Sequence, residues 1–205
     1  MNTVQLVIEF LGTFAFAISG IRWAAFKNFD WFGGYVVGLA TAIGGGTIRD
    51  VMLGVTPFWM TNSIYIICTA AALVLAIIFK KAIVKFSSTW FLFDPLGLAL
   101  FTIAGIQKTL YAGFPFWVAI IMGCITGVAG GIIRDVLINE VPLIFRKEIY
   151  AVACILGGFV YQICYYWGLN LEIIVISSFV TVVVVRLMAV KYHISLPHLH
   201  EMEEK

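Results

Sequence analysis

The sequence predicts an all-α membrane protein with seven transmembrane helices, arranged as two inverted three-helix repeats plus a seventh helix. Three observations predict it. Hydrophobic residues make up 62% of the 205 residues, charged residues only 12%, and the mean hydropathy is +1.02, a balance outside the range of soluble domains. Apolar runs of membrane-crossing length, roughly 17–25 residues, can be placed seven times. A charged, glycine-rich stretch, Gly44-Gly45-Gly46-Thr47-Ile48-Arg49-Asp50, recurs as Gly130-Gly131-Ile132-Ile133-Arg134-Asp135. The offset is constant, since 134 − 49, 135 − 50 and 142 − 57 (the prolines that follow) all equal 85.

The first span runs from about Val4 to Ala25, the second from Gly33 to Gly54 and the third from Ser63 to Phe79, with Lys80, Lys81 and Lys85 closing the half. No basic stretch or small-residue cleavage pattern precedes the first span, so it is expected to stay. The fourth span runs from Pro95 to Ala112, and Asp94-Pro95 has the form of a helix cap followed by proline at the first helical position. The fifth and sixth run from Phe116 to Asn139 and from Ile149 to Trp167, and the seventh from Ile173 to Val190. One transmembrane domain therefore fills residues 1–205, with repeats over about 4–80 and 91–167, a seventh helix over about 173–190 and a tail over 191–205. The register holds without a gap through Glu9/Asp94, Gly12/Gly97, Phe16/Phe101, Gly20/Gly105, Gly38/Gly123 and Thr41/Thr126, as an internal duplication requires.

Three spans per copy is an odd number, so the second copy enters the membrane from the opposite side. Arg22, Lys27, Lys80, Lys81, Lys85, Arg146, Lys147, Arg186 and Lys191 fall on one face, and only Lys108 lies near the other. The positive-inside rule then puts the N-terminus outside and the C-terminus in the cytoplasm. Trp23, Trp31, Trp59, Trp90, Trp117 and Trp167 lie near span ends, as an interfacial belt requires.

Consecutive glycines inside a span favour a break in the helix, and a break frees carbonyl oxygens that suit a monovalent cation near Gly45 and Gly130. The competing reading is close helix packing. For the triple glycine and its copy the charges that follow favour a pathway, whereas packing is expected for Gly12, Gly20, Gly97, Gly105, Gly157 and Gly158. Arg49, Asp50, Arg134 and Asp135 must face protein or water. Because adjacent residues on a helix do not face each other, cross-repeat pairs are expected, Arg49 with Asp135 and Asp50 with Arg134, as a clasp, a pore wall or both. Glu9 and Asp94 read as carboxylates at helix beginnings, and Lys108 as a snorkelling or gating cation.

Catalytic and cofactor motifs are missing: no Gly-Lys-Ser/Thr follows the glycines, so neither an enzyme nor a cofactor is expected. Cys68, Cys124, Cys154 and Cys164 read as small buried apolar residues. His193, His198 and His200 read as solvated tail residues, and residues 201–205 as a disordered end. With a net charge of +2, nothing points to nucleic acid.

With GGGTIRDVMLG at Gly44–Gly54 and GGIIRDVLINEVPLIFRKEIYA at Gly130–Ala151, the sequence resembles the prokaryotic branch of the trimeric intracellular cation (TRIC) channel family, whose bacterial members are also labelled glycine transporters. The resemblance implies a homotrimer surrounded by membrane lipids, with one pore per protomer lined by kinked second and fifth helices. It implies conduction of potassium and possible passage of sodium, pore-lining roles for Gly44, Gly45, Gly46, Thr47, Arg49, Asp50, Gly130, Gly131, Arg134 and Asp135, and a gating role for Lys108. Compact loops and a short tail point to a bacterial inner membrane. Ala129 stands where the first copy has Gly44, so the two kinks need not be equal. The alternative is a secondary transporter of glycine or another small zwitterion, with Arg49 or Arg134 holding a carboxylate. A purely structural membrane subunit would leave the paired kinks unexplained.

Overall fold

The computed structural model describes residues 3–79, 92–145, 149–192 and 194. Lys80, Lys81, Lys85, Trp90, Arg146, Lys147, the three tail histidines and residues 201–205 lie outside the described residues. The described chain is all-helical: α1 (Thr3–Phe26), α2 (Trp31–Met52), the single turn α3 (Phe58–Thr61), α4 (Ile64–Ile78), α5 (Phe93–Tyr111), α6 (Phe116–Leu137), a 3₁₀ turn (Leu143–Phe145), α7 (Ala151–Tyr166) and α8 (Leu171–Lys191). Four helices, α1, α2, α6 and α8, are long and apolar enough to cross a membrane. At 15 and 16 residues, α4 and α7 measure only about 22–24 Å, short of a bilayer core of ~30 Å. Each follows a connection that has already turned once as a helix, at Phe58–Thr61 or Leu143–Phe145.

Several local expectations change. The α5 helix begins at Phe93, and its capping residue Leu92 makes no side-chain cap bond. Asp94 thus lies within the first turn rather than at the cap, because its carboxylate is drawn to Arg134. Glu9 is fully buried beyond the first turn of α1, where the exposed N–H groups of a helix end are out of reach. Both α2 and α6 continue as unbroken helices through their glycines. Chain reversal comes later, where Gly54 and Asn139 take positive φ of 69° and 56°. These residues, again 85 apart, end their helices in the left-handed conformation.

The glycines serve close approach instead. A methyl group at Gly45 would overlap the carbonyl oxygen of Thr126, and one at Gly130 would overlap that of Thr41. Helices α2 and α6 therefore cross backbone to backbone, in the small-residue manner of membrane interfaces. The ascending pair Thr41 and Gly45 faces the descending pair Gly130 and Thr126, so the crossing is antiparallel. Equivalent contacts recur at the same offset. A methyl at Gly20 would come within 2.9 Å of the Gly38 Cα, and one at Gly105 within 2.7 Å of the Gly123 Cα. Phe16 and Phe101, themselves 85 apart, stack on each other with ring centres 5.4 Å apart.

Around this centre α1 packs on α2, α4 and α5, α5 packs on α6 and α8, and α7 bridges α6 and α8. The eighth helix buries one stripe, Ile174, Ser178, Val182, Arg186 and Ala189, at helical spacing. Trp31, Trp117 and Trp167 are exposed at helix ends. Trp23 and Trp59 turn inward, the first under the Arg134 guanidinium and the second donating its indole N–H to the Thr47 hydroxyl at 3.0 Å. Cys68, Cys154 and Cys164 are buried free thiols, and Cys124 is partly buried.

A methyl at Gly34 would meet nothing closer than Leu73 at 4.0 Å. Replacing Gly45 or Gly130 by alanine is expected to destabilise by about 1–3 kcal/mol through overpacking. Gly34→Ala should be neutral or stabilising by up to ~1 kcal/mol, since alanine is the better helix former. Thermal unfolding in detergent checks the contrast, and equal midpoints for the three variants would remove the close crossing.

Candidate functional site

Each copy of the repeated stretch builds a buried charge cluster at the end of its helix. In the first, Arg49 and Asp50 are both fully buried on the last turns of α2. Arg49 Nε donates to Asp50 Oδ1 at 2.7 Å, and its Nη2 lies 3.1 Å from Glu9 Oε1 on α1. The second Asp50 oxygen accepts the backbone N–H of Phe58 at 2.8 Å, which pins the returning chain where α3 begins. Tyr65 on α4 donates its hydroxyl to Glu9 Oε2 at 3.1 Å. Lys108, on the last turn of α5, places its ammonium 2.9 Å from Asp50 Oδ1. Two carboxylates thus meet two cations, and the set is formally neutral.

The second cluster repeats the plan. Arg134 Nε donates to Asp135 Oδ1 at 2.9 Å, and its Nη1 pairs with Asp94 Oδ1 on α5. Asp135 Oδ2 accepts the N–H of Leu143 at 2.9 Å. Tyr150 reaches Asp94 Oδ1 at 3.4 Å. All five positions differ from their counterparts by 85: Asp94 from Glu9, Arg134 from Arg49, Asp135 from Asp50, Leu143 from Phe58 and Tyr150 from Tyr65. The copies are not identical. Arg134 Nη1 also donates to Ser19 at 2.8 Å, and Trp23 lies under Arg134 where the 85-residue offset places Lys108 in the first cluster.

The expected cross-repeat pairs are therefore wrong. In the antiparallel crossing Arg49 lies beyond Gly45 toward one end of the molecule, and Asp135 beyond Gly130 toward the other. Cβ directions do keep neighbouring residues apart. The long arginine side chain overcomes this by folding back, so that Nε meets the adjacent carboxylate while the far nitrogens reach α1 or α5. Lys108 does not snorkel away from the protein, but is held inward by Asp50 with its side chain 19% exposed.

The glycines of the stretch admit the side chains packed around these clusters. Gly44 faces Ile133, Gly46 faces the Phe58 ring, and Gly131 leaves space for the Tyr150 hydroxyl 2.8 Å from where its methyl would stand. Thr47 bonds back to the Ile43 carbonyl at 2.7 Å. Because α2 and α6 are continuous, the break that was to free carbonyl oxygens near Gly45 and Gly130 is absent, and the carbonyls at the crossing are covered by glycine backbone. Among the described residues no three His, Cys, Asp or Glu side chains converge on a metal site. Sequence reasoning missed Tyr65, Tyr150, Ser19 and Arg186. The two tyrosines carried a signal, since they continue the 85-residue register; Ser19 and Arg186 carried none.

A model of the family described as glycine transporter matches residues 6–81 and again residues 91–166. The UPF0126 membrane protein of Vibrio cholerae is 41% identical over 201 residues, covering 96% of this chain and 83% of that one. The UPF0126 inner membrane protein YadS of Escherichia coli is 40% identical over 194 residues, 93% of each chain. Among solved structures, the TRIC trimeric intracellular cation channel orthologue from Rhodobacter sphaeroides is similar with a TM-score of 0.87 at 31% identity, covering 94% of this chain and 100% of that one. A structure concerned with conductance through TRIC cation channels gives 0.84 at 33% identity, covering 95% and 97%.

The pairing within each cluster makes a double-mutant prediction. Glu9→Gln should cost about 3 kcal/mol by leaving Arg49 undercompensated in a dry site. Adding Arg49→Met should return much of that loss, because Asp50 and Lys108 still balance. The reversal Arg49→Asp with Asp135→Arg should recover nothing over its single variants. Unfolding midpoints in detergent decide, and recovery by the reversal would restore the cross-repeat pairs.

Proposed function

Since this chain belongs to the prokaryotic branch of the TRIC family, the family whose model is described as glycine transporter, we propose that it is a potassium-permeable cation channel of a bacterial inner membrane. It works as a homotrimer with one pore per protomer along α2 and α6, contacts membrane lipids at its outer face, and is not an enzyme. The halves at about 4–80 and 91–167 are inverted repeats, followed by the seventh membrane helix at about 173–190 and a cytoplasmic tail at 191–205. With the N-terminus outside, the Asp50 cluster lies toward the outer mouth and the Asp135 cluster toward the cytoplasm.

The observation that carries this reading is that both arginines are ion-paired within the protein. Each already holds two carboxylates, Arg49 with Glu9 and Asp50, Arg134 with Asp94 and Asp135. With Lys108 the first set is formally neutral, and in the second Arg134 faces two carboxylates, so neither set repels a cation. Potassium, and less favourably sodium, would pass by exchanging water for polar groups, with modest selectivity because the chain contains no TVGYG-type filter. The pore-lining assignment remains with Gly44, Gly45, Gly46, Thr47, Arg49, Asp50, Gly130, Gly131, Arg134 and Asp135. Lys108 is the gate: it is the partly exposed member of its cluster, and its movement off Asp50 would change the charge that a permeant ion meets.

The family description favours a second reading, a carrier for glycine. Against it, a carrier needs a cation available for the substrate carboxylate or the positive end of a half-helix. Here each arginine already has two carboxylates beside it, and α2 and α6 are unbroken.

Purified protein in a planar bilayer under asymmetric potassium chloride should give unitary currents that reverse near the potassium potential and do not require glycine. Lys108→Gln should change open probability by about two- to tenfold, corresponding to a coupling of ~0.4–1.4 kcal/mol. A silent bilayer together with saturable glycine uptake into vesicles would overturn the channel reading.

A further inference from the structure

Resting on the channel reading, we infer that Arg186, on the helix outside the two halves, is a positioning residue for the second charge cluster and acts on it through Tyr150. Arg186 is fully buried in α8, an expensive place for a guanidinium unless it has work to do there. Its guanidinium carbon sits 4.8 Å from the centre of the Tyr150 ring, and its Nη1 donates to the Ile149 carbonyl at 3.4 Å. The ring is therefore held from one side by a cation–π contact strengthened by burial. At its other end the hydroxyl donates to Asp94, the carboxylate that holds Arg134. Gly131 on α6 supplies the space this hydroxyl occupies.

The first cluster shows why this contact is more than packing. There the equivalent ring, Tyr65, stands edge-on to Phe58 with centres 4.5 Å apart. Position 143, the counterpart of 58, is a leucine, so the edge-on ring of the first cluster has no equivalent at that position. The cation from α8 takes that place. A neutral support in one copy is thus replaced by a charged one in the other, and the charge comes from an element with no counterpart in the first half. Through the tyrosine, the position of α8 is linked to the distance between Asp94 and Arg134, and hence to the charge presented at the inner end of the pathway.

Single-channel recording of the reconstituted full-length protein tests this with Arg186→Met, Arg186→Lys, Tyr150→Phe and the double variant Arg186→Met/Tyr150→Phe. Arg186→Met and Tyr150→Phe should each change mean open time or unitary conductance by about two- to thirtyfold in the same direction. The double variant should show no more than the larger single effect, because both changes cut one linkage. Arg186→Lys, which keeps the cation over the ring, should recover at least half of the change. Should Arg186→Met fail to assemble, Tyr150→Phe and Arg186→Lys still decide, the former altered and the latter near wild type. Wild-type gating and conductance in Tyr150→Phe or Arg186→Met, whether or not the variants unfold earlier, would reduce Arg186 to a structural clasp and overturn the inference. Independent addition of the two effects would do the same. A silent wild-type protein with saturable glycine uptake would instead remove the channel reading and this inference with it.

Discussion

A charge moved out of water must find its counter-charge within the protein, and this molecule is built around meeting that demand twice. Arg49 and Arg134 are fully buried, as are the carboxylates beside them or nearly so. Breaking such a pair leaves an ion with no solvent to turn to, at a cost of several kcal/mol. Each aspartate answers with both oxygens: one binds the neighbouring guanidinium, and the other caps the N–H of Phe58 or Leu143. Charge pairing and chain reversal are thereby one interaction. The aspartate that neutralises the arginine also fixes the path by which the chain leaves α2 or α6 and turns toward the next helix.

Such a cluster needs its helices close together, and that is where the glycines matter. Three consecutive glycines cost a free helix about 3 kcal/mol relative to alanine. At the crossing of α2 and α6 the loss is offset by backbone contact that no larger residue permits, with Gly45 against Thr126 and Gly130 against Thr41. Neighbouring glycines admit the rings behind the charges, Phe58 at Gly46 and Tyr150 at Gly131. The stretch thus holds two instructions in sequence: approach here, then pair charges one turn later.

Much of this was legible in the residues alone. Composition gave the all-helical membrane class, and the constant offset identified which positions would stand in equivalent places; Gly54 and Asn139, at the left-handed helix ends, extend that register in the structure. Partner identity was not legible. Two carboxylates, Glu9 and Asp94, looked like helix-end residues because sequence distance hid that α1 and α5 lie beside the ends of α2 and α6. Adjacent Arg and Asp looked unable to meet because helical periodicity describes Cβ directions, and an arginine terminates far from its Cβ. The helix break was expected from propensity, a local preference that the tertiary crossing overrides. Lys108 looked isolated because its partner is 58 positions away, at Asp50.

The departures from repetition carry as much meaning as the repetition. Two copies with identical side chains would give a pathway whose ends respond alike, and nothing in it would tell outside from inside. Lys108 and Trp23 occupy equivalent positions, yet one brings a partly exposed cation to a carboxylate and the other an aromatic face to an arginine. Phe58 and Leu143 are equivalent, yet only one supports a tyrosine, and an arginine from α8 stands in for the other. Each difference adds or removes charge next to an otherwise conserved set of contacts. On the channel reading, the duplicated framework supplies a wall whose arginines are all matched by carboxylates, and the unpaired substitutions supply direction: a cation that can leave its carboxylate at one end, and at the other a cluster tied to a helix outside the duplication.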